Sequence, residues 1–315
     1  MRFFIVFFLA ISCAAAQESS SLNGQQWLKK VGDSMKTLNY HGTVIFMKNG
    51  QIDTMKYQHT VENGIENERL TSLNSPLREV TRKSNEISCI FKETHKKIES
   101  QHPIDRSFIV DLPAHPERLD EQYLLAVAGQ EMIAMRPAQI IAVLPKDELR
   151  YARKIWVDKA SWLPLKIEVY ALDGSTLEQV LFTEFEVDTL ASDQASAPMH
   201  PQVENRHLHA ENNGALEDSA FRLGNWPAGF KEVFFIRNAM QQSKKIVDHL
   251  LLSDGFSNIS VYFEPKGEHG IEGLKSLGPV NSFSRVVGDL QVTVLGEVPS
   301  QAVEFVANGV SVRRN

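Results

Sequence analysis

The stretch PKDELRYARKIWVDKASWLPLK, residues 145–166, decides how the fold of this chain is interpreted. It holds two Trp, one Tyr, two Arg, four Lys, two Asp and one Glu, a density that suits an active site, a binding surface or an antiparallel hairpin. From Leu149 to Val157 its odd-numbered positions are apolar apart from Arg153, and the same parity resumes after a turn at residues 158–161: Leu149, Tyr151, Ile155, Val157, then Leu163, Leu165, Ile167 and Val169. Alternation with period two predicts two half-buried strands, so we interpret the stretch as a hairpin with one apolar face.

The chain before this hairpin changes its hydrophobic period. Apolar residues at helical spacing predict an amphipathic helix over residues 24–37: Trp27, Val31, Met35 and Leu38. From residue 40 to 82, short apolar runs separated by Asn49-Gly50 and Asn63-Gly64 predict antiparallel strands, because these dipeptides tolerate the positive φ of tight turns. A second helical spacing follows Pro116 and predicts another helix through Leu119, Tyr123, Leu124 and Val127. Strands are expected to resume over residues 132–144.

The chain after the hairpin divides at a polar segment. Asp173-Gly174 predicts a turn into a strand over residues 177–187, whereas residues 191–220 lack apolar periodicity and predict a linker. Beyond it, strands at 230–237 and 246–252, hairpins at Asp254-Gly255 and Gly288-Asp289, and a closing helix from about Pro299 predict a small α+β domain. With 315 residues and 43% hydrophobic content, two cores are expected. The predicted division is 1–16, 17–190, 191–220 and 221–315.

The first sixteen residues, MRFFIVFFLAISCAAA, have the charged start, apolar run and small-residue end of a secretory signal cleaved near Ala16. Cleavage would remove Arg2 and Cys13 from a chain of formal net charge −6, leaving Cys89 without a disulfide partner. A mildly acidic exported protein is a poor candidate for nucleic-acid binding. The alternative that Cys13 is a lipidation site is weaker, since Ala10 stands where such sites usually have Leu.

The residue patterns do not predict an enzyme. Cys89 lies in an apolar run typical of a core thiol, and Ser253-Asp254-Gly255 lies between two apolar runs where a turn is needed. His200, His207 and His209 fall in the polar segment and are interpreted as solvated rather than as metal ligands. The sequence contains no G-x-S-x-G, H-E-x-x-H, phosphate-loop or dinucleotide-binding motif. On this evidence the chain is an exported two-domain binding protein, expected to hold neither cofactor nor metal.

A series of short motifs, in this order and spacing, resembles the RseB/MucB family of periplasmic negative regulators of the sigma-E envelope stress response. The motifs extend over nearly the whole chain after the signal: YHGT at 40–43, ERLTSL at 68–73, REV at 78–80, PKD at 145–147, RY at 150–151, WVD at 156–158, LPLK at 163–166, PAGF at 227–230, HLLLSDGFSNISVYFEP at 249–265 and VTVLGEVP at 292–299. Three positions depart from the family pattern, because Met135, Ala152 and Trp162 stand where glycine is usual.

The resemblance implies a curved, incomplete antiparallel β-barrel like that of the lipoprotein carriers LolA and LolB, with covering helices, an apolar hollow and a smaller α+β domain. It implies a non-enzymatic regulator that binds the periplasmic region of an RseA/MucA-type anti-sigma factor and shields it from DegS-type proteolysis. Lipopolysaccharide or lipoprotein-like ligands would release it. A lipid or lipoprotein carrier of LolA type is the alternative, an exported hydrolase ranks third, and a homo-oligomer is left open.

Eight side chains are predicted to contact ligands or partners, with plain packing as the competing interpretation. Four are assigned to the hollow or its rim: Tyr151, Trp156, Trp162 and Phe182. Four are assigned to partner binding, because aromatic and Arg side chains are strong interface anchors: Trp226, Phe230, Tyr262 and Arg285.

Overall fold

The computed structural model describes residues 22–74, 78–84, 86–91, 96–101, 107–113, 115–188, 207–208, 216, 219, 221–239, 246–267 and 270–313. The predicted signal and most of the predicted linker lie outside these residues. Within the described part, no helix has both the length and the apolar character needed to cross a bilayer.

The first domain is an open sheet whose strands are, in chain order, β1 Tyr40–Lys48, β2 Gln51–Glu62, β3 Ile65–Ser72, β4 Arg78–Lys83, β5 Glu86–Phe91, β6 Lys96–Gln101, β7 Tyr123–Ile133, β8 Arg136–Pro145, β9 Ala152–Asp158, β10 Pro164–Tyr170, β11 Thr176–Val187 and β12 His207–Leu208. Their order across this 12-stranded sheet is β12-β6-β5-β4-β3-β2-β1-β11-β10-β9-β8-β7. Neighbours are antiparallel except β12 and β6. The two end strands are not paired with each other, so the barrel is incomplete, as expected.

Helix α1, Gly24–Met35, confirms the first helix prediction. It begins with a capping box, in which Asn23 Oδ1 accepts from the Gln26 backbone N–H and Gln26 Oε1 accepts from that of Asn23, both at 2.9 Å. Its buried side is Gly24, Trp27, Leu28, Val31 and Met35. The four side chains Trp27, Leu28, Val31 and Met35 pack into the core of the first domain, so the helix covers one side of the open sheet.

The hairpins predicted at Asn49-Gly50 and Asn63-Gly64 are confirmed, with φ between 53° and 77° at the four residues. The hairpin of the quoted stretch is confirmed as β9 and β10, paired from Ala152↔Tyr170 to Val157↔Pro164. Its odd-numbered side is buried through Ile155, Val157, Leu163 and Leu165, all 0% exposed.

The predicted second helix is wrong. After a single 3₁₀ segment at Pro116–Glu121, the chain forms β7, whose residues pair with β8 from Tyr123↔Pro145 to Ile133↔Arg136. Leu119 and Tyr123 are both buried, and their four-residue spacing was mistaken for a helical period because the change from 3₁₀ to strand falls between them. Pairing with β8 outweighs the helical pattern of this short run.

The second domain is α+β, as predicted. Its 6-stranded sheet has the order β14-β15-β16-β19-β18-β17, with strands at β14 Lys231–Ala239, β15 Ile246–Ser253, β16 Asn258–Pro265, β17 Gly273–Leu277, β18 Val280–Val287 and β19 Leu290–Gly296. Helix α2, Ser300–Asn308, packs against one face, and β13 Phe221–Leu223 pairs with β20 Val310–Val312. The buried side chains of this domain form a second core, separate from the first.

Candidate functional site

The two domains meet along the quoted hairpin, and a cavity of about 130 Å³ opens beside this contact. Its lining comes from α1, from β3 and β4, from the segment before the 3₁₀ turn, and from the β15–β16 turn of the second domain: Gly32, Met35, Lys36, Glu66, Arg82, Ser107, Val110, Asp111, Leu112, Ser253, Gly255 and Asn258. The lining includes apolar side chains, Met35, Val110 and Leu112, and charged ones of both signs, Lys36, Glu66, Arg82 and Asp111. The cavity therefore offers both apolar and ionic contacts.

A buried polar network forms the floor behind this cavity. The side chain of Glu68 is 0% exposed and accepts hydrogen bonds from Tyr57 Oη at 2.8 Å, Arg82 Nε at 3.0 Å, Ser107 Oγ at 2.6 Å and the Phe108 backbone N–H at 2.8 Å. Burial raises the pKa of Tyr57 well above its usual value, so its hydroxyl remains a donor. The network fixes the segment at residues 107–108 against β3 and β4, which gives the cavity a rigid wall.

Arg150 joins the two domains at the start of the quoted hairpin. Its side chain is 0% exposed, and its Nε donates to Asp254 Oδ2 of the β15–β16 turn at 2.6 Å. The other guanidinium nitrogens donate to Asp147 and to the backbone carbonyl of Ala228. The Phe230 ring lies 4.8 Å from the guanidinium carbon. Arg150 can be buried because each of its three guanidinium nitrogens donates a hydrogen bond.

Further contacts connect the quoted hairpin and strand β7 to the second domain. Arg153, the basic interruption on the apolar side, donates to Ser257 Oγ at 3.3 Å and lies 5.6 Å from the Phe256 ring. Phe256 belongs to the β15–β16 turn, yet it packs in the first domain's core, 5.5 Å from the Tyr123 ring. Asn281 Nδ2 donates to Tyr151 Oη at 2.9 Å. The quoted hairpin therefore has two roles. Its apolar side packs in the core of the first domain, and the residues at its start contact the second domain.

The four residues predicted at the hollow are placed as follows. Phe182 is 1% exposed and packs against Tyr57 and Phe185, and Trp156 is 4% exposed with its Nε1 donating to Glu131 at 2.6 Å. Tyr151 lies at the domain contact, and Trp162 is half-buried against α1. None of these four described side chains lines the cavity.

The four residues predicted to bind a partner do not form one cluster. Trp226 is 36% exposed, whereas Phe230 is buried beneath Arg150. Tyr262 is half-buried and stacks on His249 at 4.3 Å, and Arg285 donates to the Ala307 carbonyl and the Asn308 side chain at the end of α2. Of these four described side chains, Trp226 is the most exposed.

The sequence interpretation missed the roles of Arg150, Asp254 and Phe256. Asp254 and Gly255 do form the predicted turn, and the missed signal was the adjacent Phe256, an apolar residue at a turn that solvent would otherwise surround. Arg153 was noticed as an interruption of the apolar side, and its partner Ser257 explains it.

Neither Cys89 nor the histidines form a chemical centre in the part of the chain that the structure describes. Cys89 is half-buried in β5, and burial raises the pKa of its thiol, which makes it a weaker nucleophile. The described residues contain no group of three His, Cys, Asp or Glu side chains placed to hold a metal ion. His200 and His209 lie outside those residues.

Comparison with known proteins covers both domains. The model of the MucB/RseB N-terminal domain matches residues 23–204, and that of the MucB/RseB C-terminal domain matches residues 215–311. The sigma factor AlgU regulatory protein MucB of Pseudomonas aeruginosa is 29% identical over 98% of this chain and 96% of its own. The sigma-E factor regulatory protein RseB of Salmonella typhimurium is 25% identical over 91% of this chain and 90% of its own.

Solved structures agree. The crystal structure of MucB in complex with MucA(peri) has a TM-score of 0.73 at 26% identity, covering 93% of this chain and 100% of that one. The MucA/MucB complex of Pseudomonas aeruginosa has a TM-score of 0.74 at 25% identity, covering 93% and 99%. With family models matching both of its domains, the chain belongs to the MucB/RseB family.

Proposed function

We propose that this protein is a periplasmic regulator that binds the periplasmic region of an RseA/MucA-type anti-sigma factor and so restrains a sigma-E-type stress response. The observation that carries the proposal is the likeness, over 93% of the chain, to MucB in its complex with MucA(peri). The mixed apolar and charged lining of the interdomain cavity supports it, because side chains of an amphipathic peptide segment can use both kinds of contact. Export by the N-terminal signal is part of the same proposal.

Partner binding is tested by calorimetric titration with the periplasmic segment of the anti-sigma factor encoded in the same genome. Alanine at Trp226 or Tyr262 is expected to weaken binding about tenfold or more, as removal of an aromatic anchor does. Phe305→Ala is the matched control, since this ring is 40% exposed in the same domain but is not proposed as a contact. Phe230 and Arg285 are tested in the same series after a check of folding. Absence of any binding by the unmodified protein would contradict the proposed function.

Protection of the anti-sigma segment is the regulatory part of the proposal. A bound segment is removed from a protease's reach, so its cleavage by a DegS-type protease should slow in proportion to the fraction bound. The measurement is the cleavage rate against the concentration of this protein. If the cleavage rate stays constant when the anti-sigma segment is fully bound, the protein binds the segment but does not protect it.

Release by a lipidic ligand, lipopolysaccharide or a lipoprotein-like acyl chain, completes the proposal. Tyr151, Trp156, Trp162 and Phe182 remain its proposed contacts, with their packing roles as the competing explanation. Linkage requires that lipid and peptide weaken each other's binding by the same factor. Titration of the peptide with and without saturating lipopolysaccharide measures that factor, and equal affinities would exclude the switch while leaving partner binding intact.

A further inference from the structure

Residues 107–113, which we term the wall segment, belong to neither a helix nor a strand. Four of them line the interdomain cavity: Ser107, Val110, Asp111 and Leu112. The end of the segment contacts the second domain so closely that Gly255 has no space for a side chain, since an added Cβ would lie 2.5 Å from the Cβ of Pro113. The position of the wall segment therefore sets both the shape of the cavity and the seat of the β15–β16 turn.

Glu68 holds the start of the wall segment through both of its carboxylate oxygens. Its Oε1 accepts from Tyr57 Oη at 2.8 Å and from Ser107 Oγ at 2.6 Å. Its Oε2 accepts from Arg82 Nε at 3.0 Å and from the Phe108 backbone N–H at 2.8 Å. Each oxygen thus joins one donor of the sheet to one donor of the wall segment, so a change at a sheet donor acts on the same oxygen that binds the segment.

Tyr57 connects Glu68 to the aromatic core of the first domain. Its side chain is 1% exposed, and its ring meets that of Phe182 edge-on, with the centroids 5.7 Å apart and the planes at 78°. The hydroxyl has a single proton, which it donates to Glu68, so the Tyr40 hydroxyl at 3.3 Å donates to Tyr57. The position of the Tyr57 hydroxyl is therefore set by the rings around it.

The Phe182 ring is packed on both sides. It is 1% exposed, and it also meets the Phe185 ring edge-on, with the centroids 5.1 Å apart. Because protein interiors are close-packed, a ligand that reaches this ring must displace it, and the displaced ring pushes on Tyr57. A hydrogen bond weakens steeply with distance and misalignment, so the bond from Tyr57 to Glu68 is either made or broken.

We propose that Tyr57 and Glu68 are positioning residues for partner binding, which transmit displacement of Phe182 to the wall segment of the interdomain cavity. With the Tyr57 bond made, the carboxylate holds Ser107 and Phe108, and the cavity keeps the shape that binds the partner segment. With the bond broken, Glu68 loses a donor, the wall segment loosens and affinity for the partner falls. This inference rests on the proposed function and gives its ligand switch a physical connection between the two sites.

Amide hydrogen exchange at Phe108 tests the connection without partner or lipid, because this N–H is bonded to Glu68 and reports on the wall segment. Phe182→Leu is expected to speed exchange at Phe108 about fivefold relative to the amides of β9. Phe46→Leu is the matched control, since Phe46 packs against the same core but the described ring contacts do not join it to Tyr57. Equal exchange at Phe108 in the two variants would overturn the proposal.

A double-mutant cycle with Tyr57→Phe tests whether the hydroxyl carries the effect. The variant should fold, because it keeps the ring, and because Ile109 and Val110 of the wall segment remain buried in the core. Tyr57→Phe alone should speed exchange at Phe108 about fivefold, and adding Phe182→Leu should speed it no further, since the connection is already broken. Fully additive effects of the two substitutions would show that Phe182 acts by another way and would refute the proposal.

Calorimetric titration with the periplasmic segment of the anti-sigma factor encoded in the same genome extends the test to binding. Tyr57→Phe and Ser107→Ala should each weaken binding about threefold to tenfold. Saturating lipopolysaccharide should weaken binding less in Tyr57→Phe than in the parent, whereas Phe46→Leu should keep the parent's response. Parental affinity and parental response in Tyr57→Phe would reject the coupling. A parent that does not bind the segment contradicts the proposed function alone, because the exchange cycle judges the connection independently.

Discussion

At the scale of single residues, two of the three departures from the family's glycine pattern occupy backbone positions that favour glycine. Met135 has φ +59° and Trp162 has φ +65°. A side chain in this left-handed region costs about 1 kcal/mol relative to glycine. Trp162 has contacts that can offset this cost, whereas Met135 is 92% exposed at the β7–β8 turn and has little packing to offset it.

Met135→Gly is therefore expected to raise the free energy of unfolding by about 0.5–1 kcal/mol, because relief of the left-handed backbone outweighs the loss of an exposed side chain. Urea denaturation measures the change. Met132→Gly is the control, since Met132 is 61% exposed in the adjacent strand and is not among the positive-φ residues of the described chain. That variant should lose stability, and equal effects of the two substitutions would contradict the backbone explanation.

Asp158, the last residue of β9, predicts a defined dependence of stability on pH. Burial disfavours its charge, but hydrogen bonds from Arg136 at 2.8 Å and from the backbone and hydroxyl of Ser161 prevail and hold its pKa below the usual 3.8. The unfolded chain then binds more protons than the folded one near and below pH 3.8, so this stabilisation is complete above that pH and is lost as pH falls through the folded pKa.

Asp158→Asn should cost about 2 kcal/mol at pH 7, because Arg136 loses its ionised partner. The difference from the unmodified protein should begin to shrink below about pH 3.8, where the carboxyl of the unfolded chain becomes protonated, and should vanish as pH falls through the lower pKa of the folded protein. Urea unfolding between about pH 3 and 7 tests both points. Asp289→Asn, at an exposed turn, is the control and should show little difference at any pH. A cost that stays constant over this range would rule out the charge as its origin.

At the scale of elements, the hairpins were predictable from sequence and the 3₁₀-to-strand change was not. Asn49-Gly50 and Asn63-Gly64 predict their turns, because few residues other than Asn and Gly tolerate the positive φ that these turns require. Residues 119–127 have a local helical spacing, but the 3₁₀ segment ends at Glu121, and pairing with β8, which lies beyond this window, makes Tyr123 and the residues after it a strand. The contact between the domains could not be predicted from local patterns either, since Arg150 and Asp254 lie far apart in the chain.

Trp162 links the β9–β10 turn to α1. Its ring lies 4.6 Å from that of Trp27 and 4.3 Å from the Lys30 ammonium, both on the helix. Trp162→Gly should relieve about 1 kcal/mol of backbone strain but lose about 2–3 kcal/mol of ring packing, a net loss of about 1–2 kcal/mol. Faster amide hydrogen exchange in α1 should accompany it. Trp162→Phe keeps much of the ring stacking, so amide hydrogen exchange in α1 is expected to be slower in this variant than in Trp162→Gly. A Gly variant as stable as the parent would show that the indole only fills the turn.

At the scale of the whole molecule, the relative position of the domains depends on buried polar contacts more than on surface ion pairs. Lys48 and Glu297 also form an ion pair between the domains, at 2.8 Å, but their side chains are 35% and 48% exposed. Such solvent-exposed pairs contribute about 0–1 kcal/mol. Arg150 is fully buried and its partner Asp254 is 3% exposed. Removing Arg150 would leave the Asp254 carboxylate buried with hydrogen bonds from Tyr123 and from the backbone of Phe256 and Ser257, but without its buried counter-charge.

Arg150→Gln is accordingly expected to lower the free energy of unfolding by about 3 kcal/mol or more and to separate one thermal transition into two, because the domains lose the contact that makes their unfolding cooperative. Arg150→Lys should not rescue it, since one ammonium cannot serve Asp147, Asp254 and the Ala228 carbonyl in the plane of a guanidinium. Differential scanning calorimetry measures both effects, with Arg222→Gln, an exposed arginine of β13, as the matched control. A single, unshifted transition in Arg150→Gln would mean that Phe256 and the apolar contacts around it hold the domains together without this charge.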